Sequence, residues 1–198
     1  MRTRLLAVAA VAALAAAVPA TAAPAPQITD PAGDARTQSA GADIVSALFG
    51  TDGTTQKVGK KTVYTPTKLV VTVTYAAAPS TDPYVSHQVL FTSPGCGSVY
   101  LEVYSGGTFG VADCLPEDAS FDVSYKVSGN SIVYTLPFNS IGKQYFKPGT
   151  ALTDLTAYTA IADPALGYET YELTAAPGVL PVDGGIDVAT SAASYRIG

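Results

Sequence analysis

Apolar and polar residues alternate along most of this chain with a period of two, the pattern of strands that bury one face. Leu69-Val70-Val71-Thr72-Val73-Thr74-Tyr75 is the clearest case, β-branched at nearly every position. Phe121-Asp122-Val123-Ser124-Tyr125-Lys126-Val127 alternates strictly, and Ser128-Gly129-Asn130 turns it into Ser131–Leu136. Asp43–Gly50, Tyr84–Thr92, Leu152–Ala162 and Ser194–Ile197 read as further strands. The alternation predicts that Leu69, Val71 and Val73 share a buried face and that Phe121, Val123 and Tyr125 turn inward. Past the N-terminal region no segment keeps a helical period over three turns, and Asn139–Gly142 predicts one helical turn. Ile28–Asp43 holds turn residues, and Asp163–Asp187, rich in Pro and Gly, reads as a long loop over one end. Together these elements predict an all-β fold, an antiparallel β-sandwich or jelly roll.

The longest unbroken apolar run stands at the N-terminus. Arg2 and Arg4 precede Leu5–Val18, and Pro19–Ala23 offers cleavage after Ala22 or Ala23. Residues 1–23 therefore read as an export signal, too short for a membrane span. Removing 23 of 198 residues leaves 175, so residues 24–198 form a single secreted domain large enough for a sizeable core. No lipid-accepting Cys sits at the cleavage site and no apolar tail is seen near Gly198, so no membrane anchor is expected. Losing Arg2 and Arg4 moves the net charge from −5 to −7. Lys57, Lys60 and Lys61 are the one basic group, so nucleic acid is not an expected partner.

Two cysteines in an exported chain predict a disulfide, Cys96–Cys114. Val99–Tyr104 and Thr108–Ala112 flank the turn residues Ser105-Gly106-Gly107, which places the cysteines at the base of a hairpin. Closing such a loop stabilises by about 3 kcal/mol in the chain-entropy account.

Asp30-Pro31-Ala32-Gly33-Asp34, followed by Asp43-Ile44, is the most distinctive local pattern. Asp-Pro-x-Gly is a type I turn in its own right. Carboxylates at Asp30, Asp34 and Asp43 also supply the hard oxygen donors that calcium takes, so a structural calcium site is expected there. The spacing is not that of an EF-hand loop.

This turn, a short polar stretch and Asp-Ile entering the first strand resemble the opening of DOMON-like β-sandwich domains, including the C-terminal domain type of glucodextranases. The resemblance implies a sugar- or ligand-binding module, or a structural appendage to secreted carbohydrate enzymes. Ala35–Gly41 departs from it, lacking the Gly/Tyr/Pro-rich continuation of the glucodextranase type. Cytochrome-type members of the group hold haem through a His–Met pair. Here Met1 is the only methionine and leaves with the signal, which excludes that pair.

Twelve tyrosines and no tryptophan make tyrosine the main aromatic. Tyr100, Glu102 and Tyr104 share one strand face opposite Val99, Leu101 and Val103, so with the latter in the core the former face solvent or a cleft. They are the expected ligand-binding group, with Tyr168, Glu169, Tyr171 and Glu172 as a second. His87, the only histidine, alternates with Val85, Val89 and Phe91 and reads as a hydrogen-bonded core residue. Ser86 points to the other face, and no GxSxG is present. Glu117 and Asp118 add to the scattered acids without forming a glycosidase pair that spacing can reveal. The expected function is a secreted binding module for an extracellular glycan or protein, without catalytic activity. The alternatives are a structural or protein-interaction protein of the cell exterior, and a hydrolase with an unrecognised site.

Overall fold

The computed structural model describes residues 24–35, 39–82, 85–104, 107–161 and 185–198. In chain order the elements are β1 (Ile28–Thr29), β2 (Ile44–Val58), β3 (Lys61–Tyr75), β4 (Val85–Ser93), β5 (Gly97–Tyr104), β6 (Gly107–Ala112), β7 (Ser124–Ser128) and β8 (Ser131–Pro137). A helical turn α1 (Phe138–Ile141) and a 3-10 turn (Lys143–Tyr145) lead to β9 (Ala151–Ile161), β10 (Gly185–Ser191) and β11 (Tyr195–Arg196). One sheet has the order β1-β2-β3-β8-β7 and the other β10-β9-β4-β5-β6, with β11 also pairing β9; every pairing is antiparallel. The two sheets pack together around a shared main core, so the predicted sandwich is the observed architecture.

Alternation fixes which side chains fill that core. Leu69, Val71, Val73 and Tyr75 of β3 are fully buried, and so are Val89 and Phe91 of β4 and Leu101 of β5. Register places Val71 between Phe49 of β2 and Tyr134 of β8, while Phe49 meets Phe91 of the opposite sheet edge to face at 6.2 Å. Burying one such side chain stabilises by roughly 1.5–3 kcal/mol, so truncating Leu69 to Ala is expected to cost about 2–5 kcal/mol. The predicted disulfide is present, with Cys96 before β5 and Cys114 after β6 at a Cα separation of 4.5 Å.

Three expectations are corrected. The strand predicted over Phe121–Val127 is shorter, β7, and it pairs with β8 alone at the sheet margin. Phe121 and Val123 are buried, but Tyr125 is 45% exposed instead of turning inward. Phe121 instead bridges to Gly110 of β6, where its ring fills the space that a side chain at 110 would need. The strand predicted to end at Gly50 continues to Val58 and returns from Lys61, because its threonines keep β geometry without an apolar face. The stretch read as loop to Asp187 ends in β10, which begins at Gly185. The export signal, Tyr84, Ser105-Gly106, Ala162 and the group Tyr168, Glu169, Tyr171 and Glu172 lie outside the described residues.

Among the described residues no helix is long and apolar enough to cross a membrane.

Candidate metal centre

Acidic side chains gather where the β1–β2 margin of one sheet meets β10 of the other. Asp30 follows β1, and its amide donates to the Val45 carbonyl, extending the pairing by one residue. The chain then turns through Pro31-Ala32-Gly33, with Gly33 at φ +94°, a conformation glycine adopts without strain. The Gly33 amide donates to Asp43 Oδ2 at 2.7 Å, which folds the turn back onto the mouth of β2. Thr159 of β9 donates its hydroxyl to the Ala42 carbonyl at 2.7 Å and fixes the approach to Asp43. From the other sheet Asp187 Oδ2 accepts the Ile44 amide at 2.5 Å.

Asp30, Asp34 and Asp187 each present a carboxylate oxygen within 4.8 Å of the other two. That distance is about the span across a calcium ion with oxygen ligands at about 2.4 Å on either side. Asp187 and Asp43 are buried, Asp30 half-buried and Asp34 exposed, so the group opens to solvent on the Asp34 side. Asp43 stands beside the three. Its Oδ1 is buried without a hydrogen-bond partner, as is Asp30 Oδ2.

Burial pushes the Asp30 carboxyl up to about 6, and the negative charges of Asp187, Asp34 and Asp43 push the same way. Burial likewise raises Asp187, partly offset by the amide of Ile44. Lys68 pairs with Asp52 at 2.8 Å well along the β2–β3 hairpin, and among the described residues no cationic side chain pairs with Asp30, Asp34 or Asp187. Arg36 follows Asp34 by two residues in the sequence and lies outside the described residues.

The three acids expected to gather, Asp30, Asp34 and Asp43, are not the three that come closest. Asp30 and Asp34 lie close together, Asp43 braces the turn, and the third close carboxylate is Asp187. Sequence reading missed Asp187 by assigning it to a loop. The alternation around it, Ile186-Asp187-Val188, was the available signal.

The expected ligand face is also corrected. Val99, Leu101 and Val103 are in the core, so Tyr100, Glu102 and Tyr104 point away from the other sheet. Tyr104 is 40% exposed, but Tyr100 and Glu102 are buried and offer no open platform. Tyr100 donates its hydroxyl to Glu102 Oε2 at 2.8 Å, while Gln88 Nε2 donates to Glu102 Oε1 at 3.1 Å and to Ser86 Oγ at 2.5 Å. Burial raises the Glu102 carboxyl, and its hydrogen bonds to Tyr100, Ser86 and Gln88 oppose the rise.

His87 is buried between the sheets. Its Nε2 is 3.2 Å from the Ser80 carbonyl, and its ring meets Tyr75 edge to face at 4.9 Å. Burial lowers its basicity.

No protein-family model matches the chain, and no curated protein matches it.

Proposed function

We propose that this chain is an exported, non-catalytic binding module, a β-sandwich of DOMON-like type whose acidic end is closed by a calcium ion. The observation that carries the reading is the approach of Asp30, Asp34 and Asp187 within 4.8 Å without a paired cationic side chain among the described residues. Like charges at this spacing, partly buried, are unfavourable unless protonated or met by a cation. The donor set is all oxygen, with no thiolate or imidazole, which suits a hard cation. The unpartnered Asp43 Oδ1 and Asp30 Oδ2 leave acceptor capacity for it. Because Asp30 and Asp34 come from one sheet margin and Asp187 from the other, a bound ion would fasten the two sheets together.

Support for export comes from the leader reading of residues 1–23 and from the Cys96–Cys114 disulfide, which persists in oxidising compartments. Support for a non-catalytic role comes from His87, which is enclosed in the core. The ligand assigned to the module is extracellular and meets a surface other than the closed Tyr100–Glu102 face.

Thermal unfolding after chelator treatment tests the ion. Millimolar Ca²⁺ is expected to raise the unfolding temperature, and Asp34→Asn, an exposed position outside the core, is expected to remove the rise. Mg²⁺ should do less, because it demands tighter octahedral geometry. An Arg36→Ala variant distinguishes the alternative counter-charge. If the arginine neutralises the acids, its loss destabilises the chelated protein, and Ca²⁺ has no effect on the native chain. That pair of results would refute the calcium reading.

A further inference from the structure

We infer that the ribbon formed by the outer halves of β2 and β3 docks the protein onto a carboxylate-bearing polysaccharide. The inference rests on the reading of the chain as an exported binding module and names its partner class.

The ribbon stands clear of the sandwich. Beyond the register shift at Asp52–Gly53, β2 pairs only with β3, and β3 meets β8 only from Lys68 inward. Gly53–Val58 and Lys61–Pro66 therefore bond to each other and, among the described residues, to no third strand. At the base the Thr65 carbonyl and Pro66 approach so closely that Gly53 has no room for a Cβ. Every residue from Thr54 through Thr65 is exposed. Six residues at about 3.3 Å each carry the tip about 20 Å outward. A two-stranded ribbon exposed on both faces is marginal in water by itself, so partner contact is its natural source of stabilisation.

Charge says what kind of partner. Residues 53–67 hold Lys57, Lys60 and Lys61 and no acid, while the whole chain sums to −5, so the remaining residues sum to −8. At physiological ionic strength fields fade over about 8 Å, so a tip about 20 Å away escapes most of the field of the acidic body. The tip thus presents a local +3 to an anionic partner that the body alone would repel.

Chemistry narrows it further. Register puts Thr55, Lys57, Thr62 and Tyr64 on one face, joining a 42% exposed tyrosine ring to hydroxyls and an ammonium group. A ring for a sugar face, hydroxyls for its oxygens and a point charge for its carboxylate are the matching groups. The ribbon has no arginine, the usual residue for forked phosphate recognition. Val58 and Val63 fall on the opposite face from Tyr64, so no single apolar face exists to enter a lipid surface.

The test uses the mature chain with Ca²⁺ present throughout and polygalacturonate as the immobilised probe, beside neutral dextran, polyphosphate and phosphatidylglycerol vesicles. Retention is expected on polygalacturonate at low salt and not on dextran, and it should fall steeply with added salt. The triple variant Lys57→Gln, Lys60→Gln, Lys61→Gln should bind about tenfold more weakly with an unchanged unfolding temperature. Tyr64→Ala should weaken binding by a smaller factor, about threefold. No retention, retention untouched by the triple variant, or equal retention on polyphosphate or vesicles would overturn the proposal. The Ca²⁺ effect on unfolding is read separately, so failure of the ribbon and failure of the calcium reading give different results.

Discussion

Two regions with buried carboxylates sit in this molecule on opposite terms. Around Glu102 one carboxylate is surrounded by neutral donors, with Tyr100 and Gln88 giving it hydrogen bonds at 2.8 and 3.1 Å. At the sheet margin Asp30, Asp34 and Asp187 face one another, and Asp43 adds its charge from beside them. Burial is the first cause of the raised carboxyl in Glu102, Asp30 and Asp187 alike. Burial therefore does not distinguish a structural acid from a site. What distinguishes them is whether the protein itself supplies the compensation. The Glu102 group largely closes upon itself, whereas among the described residues no cationic side chain pairs with the three aspartates.

The largest expected effect breaks the closed group. Glu102→Ala strands the Tyr100 hydroxyl and the Gln88 amide, and is expected to cost about 3 kcal/mol in urea unfolding. Glu102→Gln keeps an acceptor in place and should cost less than about 1 kcal/mol. Equal losses in both would mean that the negative charge, and not the hydrogen bonding, holds this region.

Next comes the cation at the open group. At a hundredfold excess over its dissociation constant, Ca²⁺ should add about 2.7 kcal/mol, or roughly 5–10 °C in unfolding temperature for a domain of this size. Glu102→Gln should keep that entire shift and Asp34→Asn should lose it. A shift lost equally in both variants would erase the contrast between the regions.

A smaller effect sharpens the contrast through pH. The Asp30 carboxyl rises from 3.8 to about 6 on folding, so between those values the folded chain holds more protons than the unfolded one. Its contribution to stability is then greatest at low pH and is lost as pH rises through about 6. Chelated wild type compared with Asp30→Asn by urea unfolding should show this as a difference of about 1 kcal/mol growing over that range, reduced by the exposure of the site. Ca²⁺ should cancel or invert the slope, because it favours the ionised carboxylates. An unchanged slope with Ca²⁺ would separate Asp30 from the cation. The smallest expected effect is Ser86→Ala, about 0.5–1 kcal/mol in unfolding and without influence on the Ca²⁺ shift.

Legibility in the sequence followed the source of each signal. Leu69, Val71 and Val73 were readable because burial on one side of a strand writes itself as alternation, and the cysteine pair because an intervening hairpin brings its ends together. The outer ribbon was not readable as strand, since exposed threonines and lysines have no buried face to alternate against. Tyr125 misled for the converse reason: Phe121–Val127 alternates, but β7 lies at a margin where the pattern has no opposing surface. Asp30 and Asp34 were legible as a turn. Asp187 was not, because its proximity to Ile44 is a pairing between sheets across 143 residues, which local pattern cannot carry. Tyr100 and Glu102 were given the correct face, but whether that face is open depends on tertiary cover.

The span between Ile44 and Asp187 has a consequence for timing. The disulfide joins residues 18 apart and can close as soon as one hairpin has formed, whereas the acidic group joins residues separated by most of the domain. If the chain is exported N-terminus first, as proposed, Asp30 and Asp34 emerge early and wait for Asp187. Assembly of the carboxylates is thus a late event by topology, since long-range pairings form slowly. On the proposed reading, calcium would then act as a final latch, tightening only on chains whose translocation is already nearly complete.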